Sequence, residues 1–136
     1  MKTAELDPAR LLEKTTHLFA DAAKINPMRI ATVEGMNNDG LLEARKMFVG
    51  ENLLFLQVWR KKGLIDPWHQ HDDHESIGYL ISGKMKVIVG ETEMICGPGC
   101  SWIHPIGVPH YSEALEDSLQ IEVKSPPRKN WTERDA

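Results

Sequence analysis

Cysteine is scarce in this chain, with only Cys96 and Cys100, on either side of Gly97-Pro98-Gly99. A single C-x3-C lacks the second Cys or His pair of a zinc finger, so both thiols read as small buried hydrophobes beside a turn. Basic charge is short as well. Sixteen Lys and Arg against twenty Asp and Glu leave a net charge of -4 and no basic stripe, which argues against nucleic acid as a partner. No apolar run approaches the roughly 18 residues of a membrane span. The opening MKTAELDPARLLEK has charges spread through it and no apolar core before a cleavage site, so the expected location is the cytoplasm. Internal repeats, low-complexity tracts and a helix-turn-helix pattern are also missing. Small molecules are therefore the expected partners, with no nucleic acid and no membrane.

At 136 residues the chain is long enough to bury a core without disulfides and reads as a single domain, 1–136. Its organisation divides into a helical extension over 1–29, a β-barrel over 30–124 and a polar tail over 125–136, in which Trp131 is the one apolar anchor. The spacing of Leu11, Leu12, Thr15, Leu18, Phe19, Ala22 and Ala23 predicts one amphipathic α-helix over 8–24. Asp7 is its expected N-cap, Pro8 its first residue, and Asn26-Pro27 its end.

From about Ile30 the period falls from 3.6 to 2. Short runs that alternate apolar and polar residues follow one another, separated by Gly, Pro, Asn and Asp, and predict strands near 41–49, 53–59, 67–71, 76–82, 85–89, 92–96, 101–103, 110–114 and 118–124. So many short strands, with no second helix, indicate an all-β sandwich, jelly roll or small barrel.

Half of the six histidines fall in one stretch, His69, His71 and His74, among Asp72, Asp73 and Glu75. Residues two apart on a strand share a face, so His69 and His71 can aim inward at one metal ion. An H-x-H pair alone is unspecific. A second segment, Gly99 to His110, reads GCSWIHPIGVPH and ends in another histidine at the start of a predicted strand.

With these two segments the sequence resembles the cupin superfamily of small jelly-roll barrels. The family's first motif is a Gly, five residues, H-x-H, three or four residues, a Glu, six residues and a Gly; here Gly63, His69, His71 and Gly83 match. The second is a Gly, five residues, P-x-G, two residues, a His, three residues and an Asn. Gly99, Pro105, Gly107 and His110 match at every spacing, and Ala114 stands in place of the Asn. The resemblance implies a cupin-type jelly roll in which His69, His71 and His110 hold one divalent transition metal ion inside the barrel. At the family's Glu position this chain has Ser76, a poor ligand. Strand alternation favours His74 over Glu75 as the replacement, because His74 shares the inward phase of Ser76; a site with neither is the third reading. Nitrogen ligation suits Zn, Ni, Fe or Cu rather than Mg or Ca.

The family includes dioxygenases, isomerases, lyases and sugar-processing enzymes, and its short single-domain members include proteins acting on uronate or other keto-sugars. The resemblance thus implies a metal-binding cupin acting on a small polar or anionic metabolite, by Lewis-acid isomerase or lyase chemistry or by dioxygenase chemistry. A non-catalytic binding or sensing cupin is the alternative, and whether the chain is an enzyme stays open. The inward residues legible in sequence besides the histidines, Ser76, Gly78, Leu80, Ser112 and Ala114, include no acid or base. Gly78 reads equally as space for a ligand or as a packing glycine. A small barrel with exposed edges and a spare amphipathic helix predicts a homodimer.

Overall fold

The computed structural model describes residues 6–134. Its strands are β1 (Met28–Val33), β2 (Met36–Asn37), β3 (Leu42–Val49), β4 (Leu54–Arg60), β5 (Ile65–His69), β6 (Glu75–Ser82), β7 (Met85–Val89), β8 (Thr92–Cys96), β9 (Ser101–His104), β10 (His110–Ala114), β11 (Ser118–Ser125) and β12 (Trp131–Glu133). One sheet runs β12-β1-β3-β4-β11-β6-β9, with β2 paired to β1, and the second runs β5-β10-β7-β8. All pairings are antiparallel, and the two curled sheets form a jelly roll.

The larger apolar cluster packs Ile30, Leu42, Ala44, Leu54, Leu56 and Val58 of β1, β3 and β4, and a second packs Leu80, Met85, Val87 and Cys96. On β4 the alternation of Leu54, Leu56 and Val58 faces inward as its pattern requires. β11 does the reverse: Ser118, Gln120, Glu122 and Lys124 are buried, while Leu119, Ile121 and Val123 lie on the outer face. The motif's closing Gly83 sits at φ 99°, and a Cβ there would lie 2.3 Å from the Ser118 hydroxyl, so no other residue fits this turn.

The N-terminal segment corrects the expected helix. Helical structure within 8–24 is confined to two single 3-10 turns, Pro8–Arg10 and Ala22–Lys24, and the residues between them are not helical. The cap is where the sequence puts it: the Asp7 carboxylate accepts from Ala9 N–H with Pro8 in the first position. What overrides the helix is a free sheet edge. β1 pairs with β3 only at Glu43 and Ala44, which leaves Met47 to Val49 uncovered on that side. Thr15 N–H donates to the Val49 carbonyl at 3.0 Å, Val49 N–H donates to the Thr15 hydroxyl at 3.1 Å, and the His17 ring bonds the Met47 carbonyl at 2.7 Å. A short isolated helix is marginal in water, so satisfying an open edge wins. Its predicted apolar face is then divided: Leu12 packs against the core, while Leu18 is 84% and Phe19 90% exposed. In the segment read as a polar tail, Trp131 is buried and begins β12 against β1. No helix among the described residues is long and apolar enough to cross a membrane.

Candidate metal centre

β5 and β10 pair so that His69, the last residue of one, lies opposite His110, the first of the other. His71 follows two residues beyond β5, in a loop pinned by Gly107 N–H, which donates to the His71 carbonyl at 2.7 Å. Gly107 adopts φ 76°, where a side chain is strained, so the second motif's glycine serves the first motif's histidine. Ring nitrogens of His69, His71 and His110 all lie within 4.8 Å of one another.

The hydrogen bonds fix which nitrogens are free. His69 Nδ1 lies 2.6 Å from the Pro67 carbonyl and His110 Nδ1 3.3 Å from the Val108 carbonyl. A carbonyl only accepts, so both rings carry their proton on Nδ1 and present a bare Nε2 lone pair. Those two Nε2 atoms face each other at 3.0 Å. Two acceptors at that distance repel unless a cation lies between them. The donor set therefore fits a nitrogen-preferring divalent metal ion. His71 Nδ1 faces the Asn130 amide nitrogen at 3.3 Å, with the Glu34 carboxylate 3.8 Å away. Burial pushes the His71 imidazolium down to about 2, and the positive charge of Lys124 adds to the effect; burial and then His69 push His110 down to about 4. Both rings are neutral at physiological pH, as ligation requires.

The structure does not bring His74 into this set. Its ring is fully buried and stacks on His71 with centroids 4.3 Å apart, and its Nδ1 is held by Asp73 at 2.8 Å. Asp73 in turn takes two bonds from Arg10, at 2.6 and 2.7 Å, and those bonds hold its carboxyl well below the usual range. The group whose ligand atoms all lie within 4.8 Å of one another is His69, His71 and His110, without His74. His74 Nε2 has no hydrogen-bond partner among the described residues. Glu75 points outward, as alternation predicts.

Ser76, which stands at the motif's Glu position, is partnered by a histidine the motifs do not mark. Ser76 on β6 pairs in register with His104 on β9, and its hydroxyl bonds His104 Nδ1 at 3.0 Å. The His104 ring lies flat against His110, with centroids 3.5 Å apart and planes 5° apart. Parallel planes at that separation exclude a shared ion, so His104 braces His110 rather than joining it. Burial holds the His104 imidazolium far below its ordinary value. Gly78 is a packing glycine: a Cβ there would lie 2.6 Å from the Trp102 indole.

The triad opens on a cavity of about 40 Å3, room for roughly three water-sized groups. Four charged residues absent from the sequence reading line it: Arg60, Asp66, Glu122 and Lys124. Arg60 donates to Gln120 at 2.8 Å and lies 3.6 Å from Asp66. Lys124 Nζ donates to Asn130 Oδ1 at 3.0 Å and lies 4.0 Å from Glu122. Burial pushes the Glu122 carboxyl up, and the positive charges of Lys124 and then Arg60 pull it down. The neutral imidazoles nearby add nothing to that at neutral pH. Alternation along β11 shows a two-faced strand; only the fold reveals that the polar face is the inner one.

A jelly roll with two bare imidazole nitrogens set face to face at the mouth of an inner cavity is the architecture of a cupin. The sequence model of the cupin domain matches residues 55–123, and the chain belongs to that family. Among its relatives is the pectin degradation protein KdgF of Dickeya dadantii, 28% identical over 82 residues, which span 60% of this chain and 74% of the relative. The solved structure of KdgF from a Halomonas species is 29% identical, covers 65% of this chain and 81% of its own, and superposes with a TM-score of 0.62. An RmlC-like cupin from Shewanella frigidimarina shares the fold more completely, at TM-score 0.73 over 85% of this chain and 95% of its own, with 21% identity.

Proposed function

We propose that this cupin is a metal-dependent enzyme that binds one divalent transition ion (Zn, Ni, Fe or Cu) through His69, His71 and His110, and acts on a small polar or anionic metabolite. The observation that carries the reading is the 3.0 Å approach of two Nε2 lone pairs whose opposite nitrogens are both committed to carbonyls. A bound ion would supply Lewis-acid polarisation of a carboxylate or carbonyl, in isomerase, lyase or dioxygenase chemistry. With Arg60 and Lys124 balanced by Asp66 and Glu122, and with neutral imidazole ligands, an ion's double positive charge would be left for an anionic ligand to offset. Glu122 places one carboxylate on the same lining as the triad. Likeness to a pectin degradation protein supports an enzyme over a simple binding protein.

The test is elemental analysis of protein purified without added metal, repeated for His69→Ala, His110→Ala and His74→Ala. Near-stoichiometric metal is expected in the wild type and in His74→Ala, and loss is expected in the other two. Metal that survives both triad changes overturns the site.

The same reading includes a homodimer formed through the outer face of the larger sheet. Cross-strand pairs join Trp59 to Leu119, Tyr79 to Ile121, and Ile77 to both Val123 and Ile103, giving an uncharged apolar surface. Ile77, Tyr79, Ile81 and Ile103 are exposed, and a patch of this kind is covered more readily by its own copy than by water.

A further inference from the structure

β1 and β2 are joined by a two-residue turn, Glu34-Gly35, in which both residues have positive φ, 51° and 76°. Turns of this kind favour Asn-Gly, and Glu34 is the one non-glycine residue with positive φ among the described residues. The backbone gives no reason for a glutamate at this position, so the reason lies in where its carboxylate goes. Glu34 Oε1 accepts from Arg10 Nη2 at 2.7 Å and lies 3.8 Å from His71 Nδ1. The Glu34 N–H donates to the Asn130 carbonyl at 2.7 Å, so the turn is tied to the residue whose amide nitrogen faces the same His71 Nδ1 at 3.3 Å.

The three rings of the triad are held differently. His69 and His110 place their Nδ1 protons on the main-chain carbonyls of Pro67 and Val108. His71 is the member whose Nδ1 faces side chains, Asn130 and Glu34. The amide nitrogen only donates, so it cannot receive a proton carried on Nδ1; the Glu34 carboxylate only accepts, so it can.

We propose that Glu34 is a positioning residue of the metal centre, the carboxylate that accepts a hydrogen bond from His71 Nδ1 when that ring offers Nε2 to an ion. The ring keeps one proton throughout. It leaves Nε2, which then has a free lone pair, and is carried on Nδ1, where a small turn of the Glu34 side chain closes the gap. The bond from Arg10 keeps the carboxylate within reach of the ring. The inference rests on the metal reading of the triad and adds the residue that orients its third member.

The experiment strips the full chain with a chelator and titrates zinc back against a competing chelator, in the wild type, Glu34→Gln, Glu34→Asn and His69→Ala. Nitrogen NMR of the imidazole rings, with and without zinc, reads which nitrogen of His71 carries the proton. Glu34→Gln keeps the size of the side chain and removes its charge. Glu34→Asn suits the positive φ better but is too short to reach His71, so it separates the folding of the turn from the role of the carboxylate. Zinc affinity is expected to fall at least tenfold in both variants, the usual effect of losing the outer partner of a metal-bound histidine. In the zinc-loaded wild type the His71 proton should sit on Nδ1, and its signal should move upfield in both variants while those of His69 and His110 stay in place. Wild-type affinity in both variants, an unmoved His71 signal, or a His71 proton still on Nε2 in the zinc-loaded protein overturns the proposal. If zinc binds the wild type and is lost in His69→Ala, such a result sinks this inference alone. A wild type that takes up no zinc, or a His69→Ala variant that keeps it, overturns the metal reading and this one with it.

Discussion

Asn130 touches both halves of the site at once: its carbonyl oxygen accepts from Lys124 Nζ at 3.0 Å, and its amide nitrogen faces His71 Nδ1 at 3.3 Å. Because the lysine can only donate, the amide has one possible orientation, and the nitrogen side must face the histidine. In this arrangement His71 accepts at Nδ1 and carries its proton on Nε2.

Metal binding at His71 Nε2 therefore requires the ring proton to move to Nδ1, where the amide opposes it and Glu34 at 3.8 Å is the nearest acceptor. Asn130→Asp replaces the opposing donor with an acceptor. Metal affinity is expected to rise about tenfold, within the range that partners of metal-bound histidines exert. Competition against a chelator measures it, and an affinity equal to or below wild type would show that the tautomer of His71 does not limit loading.

Ser76→Glu restores the family's carboxylate at a fully buried position. Without metal the variant should be less stable by about 1–3 kcal/mol, since a larger polar group displaces the Ser76–His104 bond. With metal it should hold the ion longer against a chelator. Faster metal loss than wild type would mean that position 76 does not face the ion held by the triad.

Acid should unfold the metal-free protein through its imidazoles. His110 titrates at about 4 and His71 at about 2 when folded, against an ordinary value near 6.5. Between pH 6.5 and 4 the unfolded chain binds the extra protons, so stability falls as pH falls, by up to ~1.4 kcal/mol per pH unit for each histidine. Below about 4 the His110 contribution is fully lost, while that of His71 continues to fall. Urea midpoints between pH 7.5 and 4.5 measure the slope, and His110→Gln should reduce it. A midpoint flat across that range would contradict the burial assigned to these rings.

A charge at the centre of the outer apolar face should separate the proposed dimer. Ile121→Lys is expected to shift the sedimentation mass from twice 15.4 kDa to one chain, with the fold retained because residue 121 points away from the barrel. A wild-type mass of one chain at working concentration would remove the dimer.

Much of the site could be read from sequence because cupin motifs are turn and ligand spacings, which a chain displays locally. Gly63, Gly83 and Gly107 all take positive φ, and His69, His71 and His110 converge. What stayed hidden depends on contacts between distant segments. His104 becomes part of the site only through the register of β9 on β6, which no spacing encodes. Glu122 and Lys124 lie on a strand whose period is plain but whose inner face is the polar one. The helix over 8–24 gave way to the open edge of β3, a feature invisible until β1 is seen to stop pairing at Ala44.

The inversion of β11 has a consequence for how this protein tolerates change. Along that strand the usual map of mutational sensitivity is turned over: polar residues 120, 122 and 124 are the ones a random substitution damages, while 119, 121 and 123 accept change one chain at a time. Selection on the apolar positions would then act through self-association rather than through folding. Sequence drift at these three sites would record the history of the assembly, and drift at their polar neighbours the history of the ligand.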